Sequence, residues 1–178
     1  GVLLDDLLDK YLSSYVVVGI TLILYGIAFI LVERVNKSRA FRVEDVNDLT
    51  YRDALTIGAY QVLSLIPGTS RSGSTILGSM LLGVSRTAAA EFSFFMAIPV
   101  MVGASGIKAL GFLSYVSESA VSVPTMAWVV LLVGCAVSFA VSMAAIRFLM
   151  DFVKRHSFAP FGIYRIVLGA LVLIVSFL

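Results

Sequence analysis

The 178-residue chain is 60% apolar and only 13% charged, with a net charge of +2 and a strongly positive mean hydropathy. Soluble domains carry about 25% charged residues, so a water-soluble globular fold is excluded and an all-α integral membrane protein is expected. The basic residues are scattered through short loops, which gives a nucleic-acid partner no support, and the single cysteine, Cys135, excludes an intramolecular disulfide.

Residues 1–14 set Leu3, Leu4, Leu7, Leu8, Tyr11 and Leu12 on one helical face and Asp5, Asp6, Asp9 and Lys10 on the other, the pattern of an amphipathic helix lying in the membrane interface. They contain no signal-peptide pattern and begin with Gly1, so the chain is expected to start inside a longer protein. A transmembrane helix follows at 15–32. A polar loop at 33–50 contains Arg34, Lys37, Arg39 and Arg42 and is cytoplasmic by the positive-inside tendency. Thr50 with Asp53 forms a capping-box pattern that starts a helix, which Pro67 and Gly68 end near Ile66. After a polar stretch, a second short helix from about Ser74 ends at Val84. Neither arm is a full span, so 51–84 reads as a re-entrant helix pair.

Three further spans are expected in 85–178, at about 87–110, 124–147 and 158–178. They are separated by a loop holding Glu118 and Pro124 and by a basic loop with Arg147, Lys154 and Arg155. If both basic loops are cytoplasmic, two spans between 87 and 147 place residues 33 and 86 on one side. The 51–84 segment must then enter and leave by that face, with its tip inside the membrane region.

Backbone without a helical partner is tolerated at that depth only where it is buried in protein or lines a wet cavity. The tip, residues 67–75, offers the hydroxyls of Thr69, Ser70, Ser72, Ser74 and Thr75, the Arg71 guanidinium, Gly68 and Gly73, and the free N–H groups of the second helix. This is a set of donors and positive charge without a carboxylate, which suits an anion and phosphate oxygens in particular. A nucleotide P-loop is rejected, because Ser74 stands where its lysine would be and an apolar helix precedes the loop. The structural alternative is a kinked helix pair with Arg71 reaching to the surface.

The loop Pro67-Gly68-Thr69-Ser70-Arg71-Ser72 with Thr75, the runs Leu82-Gly83-Val84-Ser85-Arg86 and Glu91-Phe92-Ser93-Phe94, then Pro99, Phe158, Pro160-Phe161 and Tyr164-Arg165 resemble the undecaprenyl-diphosphate phosphatases of the bacitracin-resistance type. The resemblance covers nearly the whole chain. It implies a multi-pass enzyme of the bacterial inner membrane that hydrolyses undecaprenyl diphosphate to the monophosphate and recycles the cell-wall carrier lipid. It also implies an inverted-repeat bundle in which two re-entrant tips meet in one site facing the periplasm. The family's glutamate and histidine motif lies in an N-terminal repeat that this chain lacks, so metal ligands are unassigned here and the chain alone is expected to be inactive.

By the same resemblance, Arg71, Ser70, Ser72 and Thr75 are the catalytic candidates. Gly68, Thr69, Gly73, Ser74 and Gln61 are the phosphate-binding candidates. A divalent cation, Mg2+ or Ca2+, is the expected cofactor, and the expected partners are the isoprenoid diphosphate lipid, the missing repeat and a second copy of the chain. A transporter or flippase for an anionic isoprenoid lipid is the rival reading, since broken helices in inverted repeats also build transporters. Glu91 and Arg165, each about one and a half turns inside a span, are expected to form an interhelical ion pair. His156 is expected to be solvated. Gly103 and Gly106 in one span, with Ser138, Ala140, Ser142, Ala144 and Ala145 in the next, are expected to let helices approach closely.

Overall fold

The computed structural model describes residues 14–36, 40–119 and 123–176. Within them lie six α-helices: α1 (Tyr15–Asn36), α2 (Tyr51–Gln61), α3 (Arg71–Leu81), α4 (Arg86–Ser119), α5 (Thr125–Arg155) and α6 (Ala159–Ser176). The β-type pairing among the described residues is one isolated bridge, between Val43 and Val84. Helices α1, α4, α5 and α6 are long and apolar enough to cross a membrane, and the protein is an all-α integral membrane protein. The interfacial helix expected at 1–14 lies outside the described residues apart from Ser14.

Three helices outrun their apolar segments. α1 continues to Asn36, α4 to Ser119 and α5 to Arg155, so Glu33, Glu118, Arg147, Lys154 and Arg155 are helical and not in loops. Hydropathy marks where hydrocarbon ends, whereas a helix ends where its hydrogen-bond ladder is broken. No glycine or proline interrupts 147–155. α4 also runs through Pro99, which lacks the N–H of one ladder bond.

The chain divides into two compact units, Gly1–Ser93 with Val153–Leu178, and Phe94–Phe152. In the first, α1 and α6 run antiparallel at very close range, because glycines face glycines. A Cβ on Gly26 would stand 2.6 Å from the Gly162 carbonyl oxygen, and one on Gly169 would stand 2.7 Å from that of Gly19. Such contacts replace the missing hydrophobic drive between helices in lipid with direct van der Waals packing.

One end of this unit is held by polar contacts. Asn36 Nδ2 donates to Met80 O at 3.3 Å. Arg42 pairs with Asp53 at 2.6 Å, and its Nε donates to Leu82 O at 3.3 Å. The start of α2 and the end of α3 are thereby tied to one side chain, and backbone bonds from Arg42 N to Gly83 O and from Ser85 N to Val43 O, both 2.8 Å, seal the junction. Buried Glu33 accepts from Arg86 at 3.0 Å. Arg86 also donates to the His156 carbonyl at 3.1 Å, while the His156 side chain belongs to an exposed residue. The end of α1, both ends of the α2/α3 hairpin and the starts of α4 and α6 therefore lie together.

The second unit contains the rest of α4 and most of α5. Phe112 meets Trp128 edge-on at 6.5 Å, and most of its large apolar side chains are exposed. The close approach expected at Gly103 and Gly106 is not made: a Cβ at either position would have nothing within 4 Å. The glycines that do let helices approach include Gly19, Gly26, Gly162 and Gly169 between α1 and α6, and Gly78 of α3 beneath Tyr60 of α2.

Candidate anion site at the hairpin tip

The hairpin starts as its sequence requires. Thr50 Oγ1 accepts from Asp53 N at 3.2 Å, and Asp53 Oδ2 accepts from Thr50 N at 3.1 Å, a complete capping box. After α2, a 3-10 turn at Val62–Leu65 leads to Pro67. Gly68 then takes φ 90°, where an L side chain is disfavoured, and lies so close to α1 that a Cβ would stand 2.8 Å from Val18 O. Two independent demands thus select glycine here.

The four successive carbonyls from Ile66 to Thr69 are all claimed. Thr69 Oγ1 donates to Ile66 O at 2.8 Å and to Leu63 O at 2.9 Å. Thr21 Oγ1, from α1, donates to Pro67 O at 2.7 Å. Arg165 Nη2, from α6, donates to Gly68 O at 2.6 Å and Thr69 O at 3.1 Å. Measured along α1 from Asn36 back to Thr21, the tip lies about 22 Å from the tied end at 1.5 Å per residue.

Ser70 is the one non-glycine residue with positive φ among those described, at φ 66° and ψ 126°. Such a conformation costs roughly 1–3 kcal/mol and persists only where its surroundings fix it. Ser70 caps α3: its Oγ accepts from Gly73 N at 3.3 Å, and its carbonyl accepts from Ser74 N at 3.0 Å. The helix accordingly begins at Arg71, three residues before the expected Ser74, with the Ser70 hydroxyl as its cap. The amides left without an intrahelical partner at this end are those of the Arg71 turn.

The tip residues divide into two groups. Ser70 and Ser72 are exposed with their hydroxyls 3.3 Å apart, and half-buried Arg71 makes no side-chain hydrogen bond or ion pair among the described residues. Thr69, Ser74 and Thr75 are buried, and their hydroxyls are used inside the protein. Ser74 Oγ meets Tyr25 Oη at 3.0 Å and Thr75 Oγ1 meets Ser93 Oγ at 2.7 Å, while Thr69 holds the turn as above. Gly73 is buried within the first turn of α3. Gln61 closes α2, and its Oε1 is buried without a hydrogen-bond partner among the described residues.

The expected Glu91–Arg165 pair is not formed. Arg165 turns to the tip carbonyls with its guanidinium carbon 5.5 Å from the Tyr25 ring centre, and half-buried Glu91 has no ion-pair partner among the described residues. The irregular turn leaves carbonyl oxygens that a helix would have satisfied, and these compete successfully for the cation. The buried carboxylate that does find an arginine is Glu33, with Arg86. Each of these charges interrupts an apolar neighbourhood in the sequence, but the partner is not readable there. Among the described residues no three His, Cys, Asp or Glu side chains come together.

A model of the family described as bacitracin resistance protein BacA matches residues 1–171. The chain is similar to a curated protein named undecaprenyl-diphosphatase from Enterococcus faecalis, 51% identical over 99% of this chain and 61% of the relative. It is similar also to proteins of the same name from Lactococcus lactis subsp. cremoris, 54% identical over 98% and 60%, and from Acetivibrio thermocellus, 49% identical over 98% and 61%. The chain thus spans about three fifths of the length of the curated relatives it matches.

Proposed function

The chain belongs to the bacitracin resistance protein BacA family, and from that premise we propose that it is the diphosphate-holding part of an undecaprenyl-diphosphate phosphatase. The reaction is hydrolysis of the isoprenoid diphosphate to the monophosphate and inorganic phosphate. The observation that carries this reading is the outward face of the tip: Ser70, Arg71, Ser72 and the first amides of α3 gathered without a carboxylate. Phosphoryl transfer is catalysed mainly by positioning and by neutralising charge on non-bridging oxygens, and this face offers both. Arg71 takes two oxygens in its planar fork, the α3 N-terminus draws the same negative charge, and the Ser70 and Ser72 hydroxyls orient the group. Thr69, Ser74 and Thr75 act from behind by fixing the loop.

The tied end, with Arg34, Arg42, Arg86 and Arg155 near it, is cytoplasmic by its basic residues, and the hairpin enters and leaves there. The tip then opens toward the opposite, periplasmic side of a bacterial inner membrane. Guanidinium, amide and hydroxyl donors do not suit a divalent cation, so Mg2+ or Ca2+ would be held by groups beyond the described residues.

The test is phosphate release from undecaprenyl diphosphate by the full-length protein in detergent, wild type against Arg71→Ala. The expected loss is about a hundredfold to a thousandfold in kcat with the protein still folded. Wild-type protein that moves the lipid across vesicles but releases no phosphate would replace the phosphatase by a transporter.

A further inference from the structure

We propose that Arg165 is a positioning residue for the tip: it sets the peptide planes of the phosphate loop and does not touch the diphosphate. The proposal deepens the phosphatase reading and rests on it for its kinetic consequence. One nitrogen, Nη2, donates to two successive carbonyls, Gly68 O at 2.6 Å and Thr69 O at 3.1 Å. In a planar trans peptide the N–H points opposite to its carbonyl. Holding Thr69 O toward α6 therefore turns the Ser70 N–H away from α6.

Ser70 follows at once with φ 66°, a conformation its own chemistry does not favour. The Arg165 bonds are part of what holds it. Thr21, on the other side, fixes Pro67 O, so three consecutive carbonyls are captured by two helices that themselves meet through glycines.

The remaining atoms of Arg165 place it behind the loop. A Cβ on buried Gly73 would stand 3.4 Å from Nη1. The guanidinium carbon lies 5.5 Å from the Tyr25 ring centre, and Tyr25 Oη in turn meets Ser74 Oγ at 3.0 Å. Among the described residues Nε is buried without a hydrogen-bond partner, so the Nη2 bonds to the loop are the hydrogen bonds that place this side chain. Ser70 and Ser72, by contrast, are exposed. Both bonds leave one nitrogen, so arginine differs from lysine here by its longer reach and by the flat guanidinium that lies against the Tyr25 ring, which a compact ammonium does not reproduce.

The experiment uses the full-length protein in detergent, with Arg165→Lys keeping the charge and Arg165→Gln removing it. In Arg165→Lys, kcat for undecaprenyl diphosphate is expected to fall about a hundredfold, the scale of a small misplacement of catalytic groups, while KM moves by less than about threefold. Hydrogen exchange of a peptide covering 66–72 is expected to quicken about tenfold while peptides from α1 and the rest of α6 exchange at the wild-type rate.

A raised KM with kcat kept would mean direct contact with the lipid head group and would overturn the proposal. So would unchanged exchange in the loop, or faster exchange spread through α1 and α6, which would mark general support of the fold. Should wild type hydrolyse no diphosphate, the phosphatase reading falls, and the exchange comparison still decides whether Arg165 shapes the loop.

Discussion

The two compact units solve the problem of a helix in a membrane in different ways. In the first, α1, α6 and the α2/α3 hairpin are locked by close backbone contact at four glycines and by polar bonds that each satisfy a group hydrocarbon would leave bare. In the second, the later part of α4 and most of α5 turn apolar side chains outward, and the helix lengths and Phe112–Trp128 are what they show. The difference teaches where sequence change is costly: at buried polar and glycine positions of the first unit, and hardly at all on the apolar surface of the second.

That contrast can be broken at Arg86 first. Among the described residues, Arg86→Ala leaves the buried Glu33 carboxylate with a long bond from Phe158 N at 3.5 Å. A loss of about 3 kcal/mol is expected, the low end for breaking a buried pair because Arg86 is partly exposed, as a lowered unfolding midpoint in detergent. Gly26→Ala is next, since its Cβ would meet Gly162 O at 2.6 Å and Ile166 Cγ1 at 2.7 Å. It should cost about 2 kcal/mol.

A smaller effect concerns pH. The Arg42 hydrogen bond, helped by the Thr50 hydroxyl, holds the Asp53 carboxyl down from 3.8 to about 2. The folded value is the lower one, so this contribution is complete above the ordinary carboxylate value and is lost as pH falls through about 2. Arg42→Ala should flatten the acid limb of a stability-against-pH curve, and an unchanged limb would remove the pair from the account. Smallest of all, Gly103→Ala and Gly106→Ala on the open surface should be neutral or stabilising by up to about 1 kcal/mol, because alanine is the better helix former. A large loss there would show that this surface is closely packed in the membrane.

Much of the scaffold was legible from local chemistry. The apolar runs locate the four spans, Thr50 and Asp53 announce the start of α2, and Pro67-Gly68 marks the turn. What could not be read depended on contacts between distant segments. Arg165 and the carbonyls it holds are separated by 97 and 96 positions, and a carbonyl oxygen leaves no trace in residue identity. Charge alone suggested Glu91 as its partner. The hydroxyl-rich loop suggested five contacting side chains, yet burial divides them, because in a first helical turn successive residues point about 100° apart. The glycine contact did leave a signal, the seven-residue spacing of Gly19 with Gly26 and of Gly162 with Gly169. That spacing keeps two residues on one helical stripe.

The separation between the loop and Arg165 has a consequence for biogenesis. A ribosome delivers residues 67–75 to the membrane well before it delivers α6, so for that interval Gly68 and Thr69 exist without the donor that claims their carbonyls. The bonds from Arg165 to the tip form only once α6 has been inserted. A nascent chain arrested before Ala159 would contain every tip residue and would still lack the side chain that donates to the Gly68 and Thr69 carbonyls.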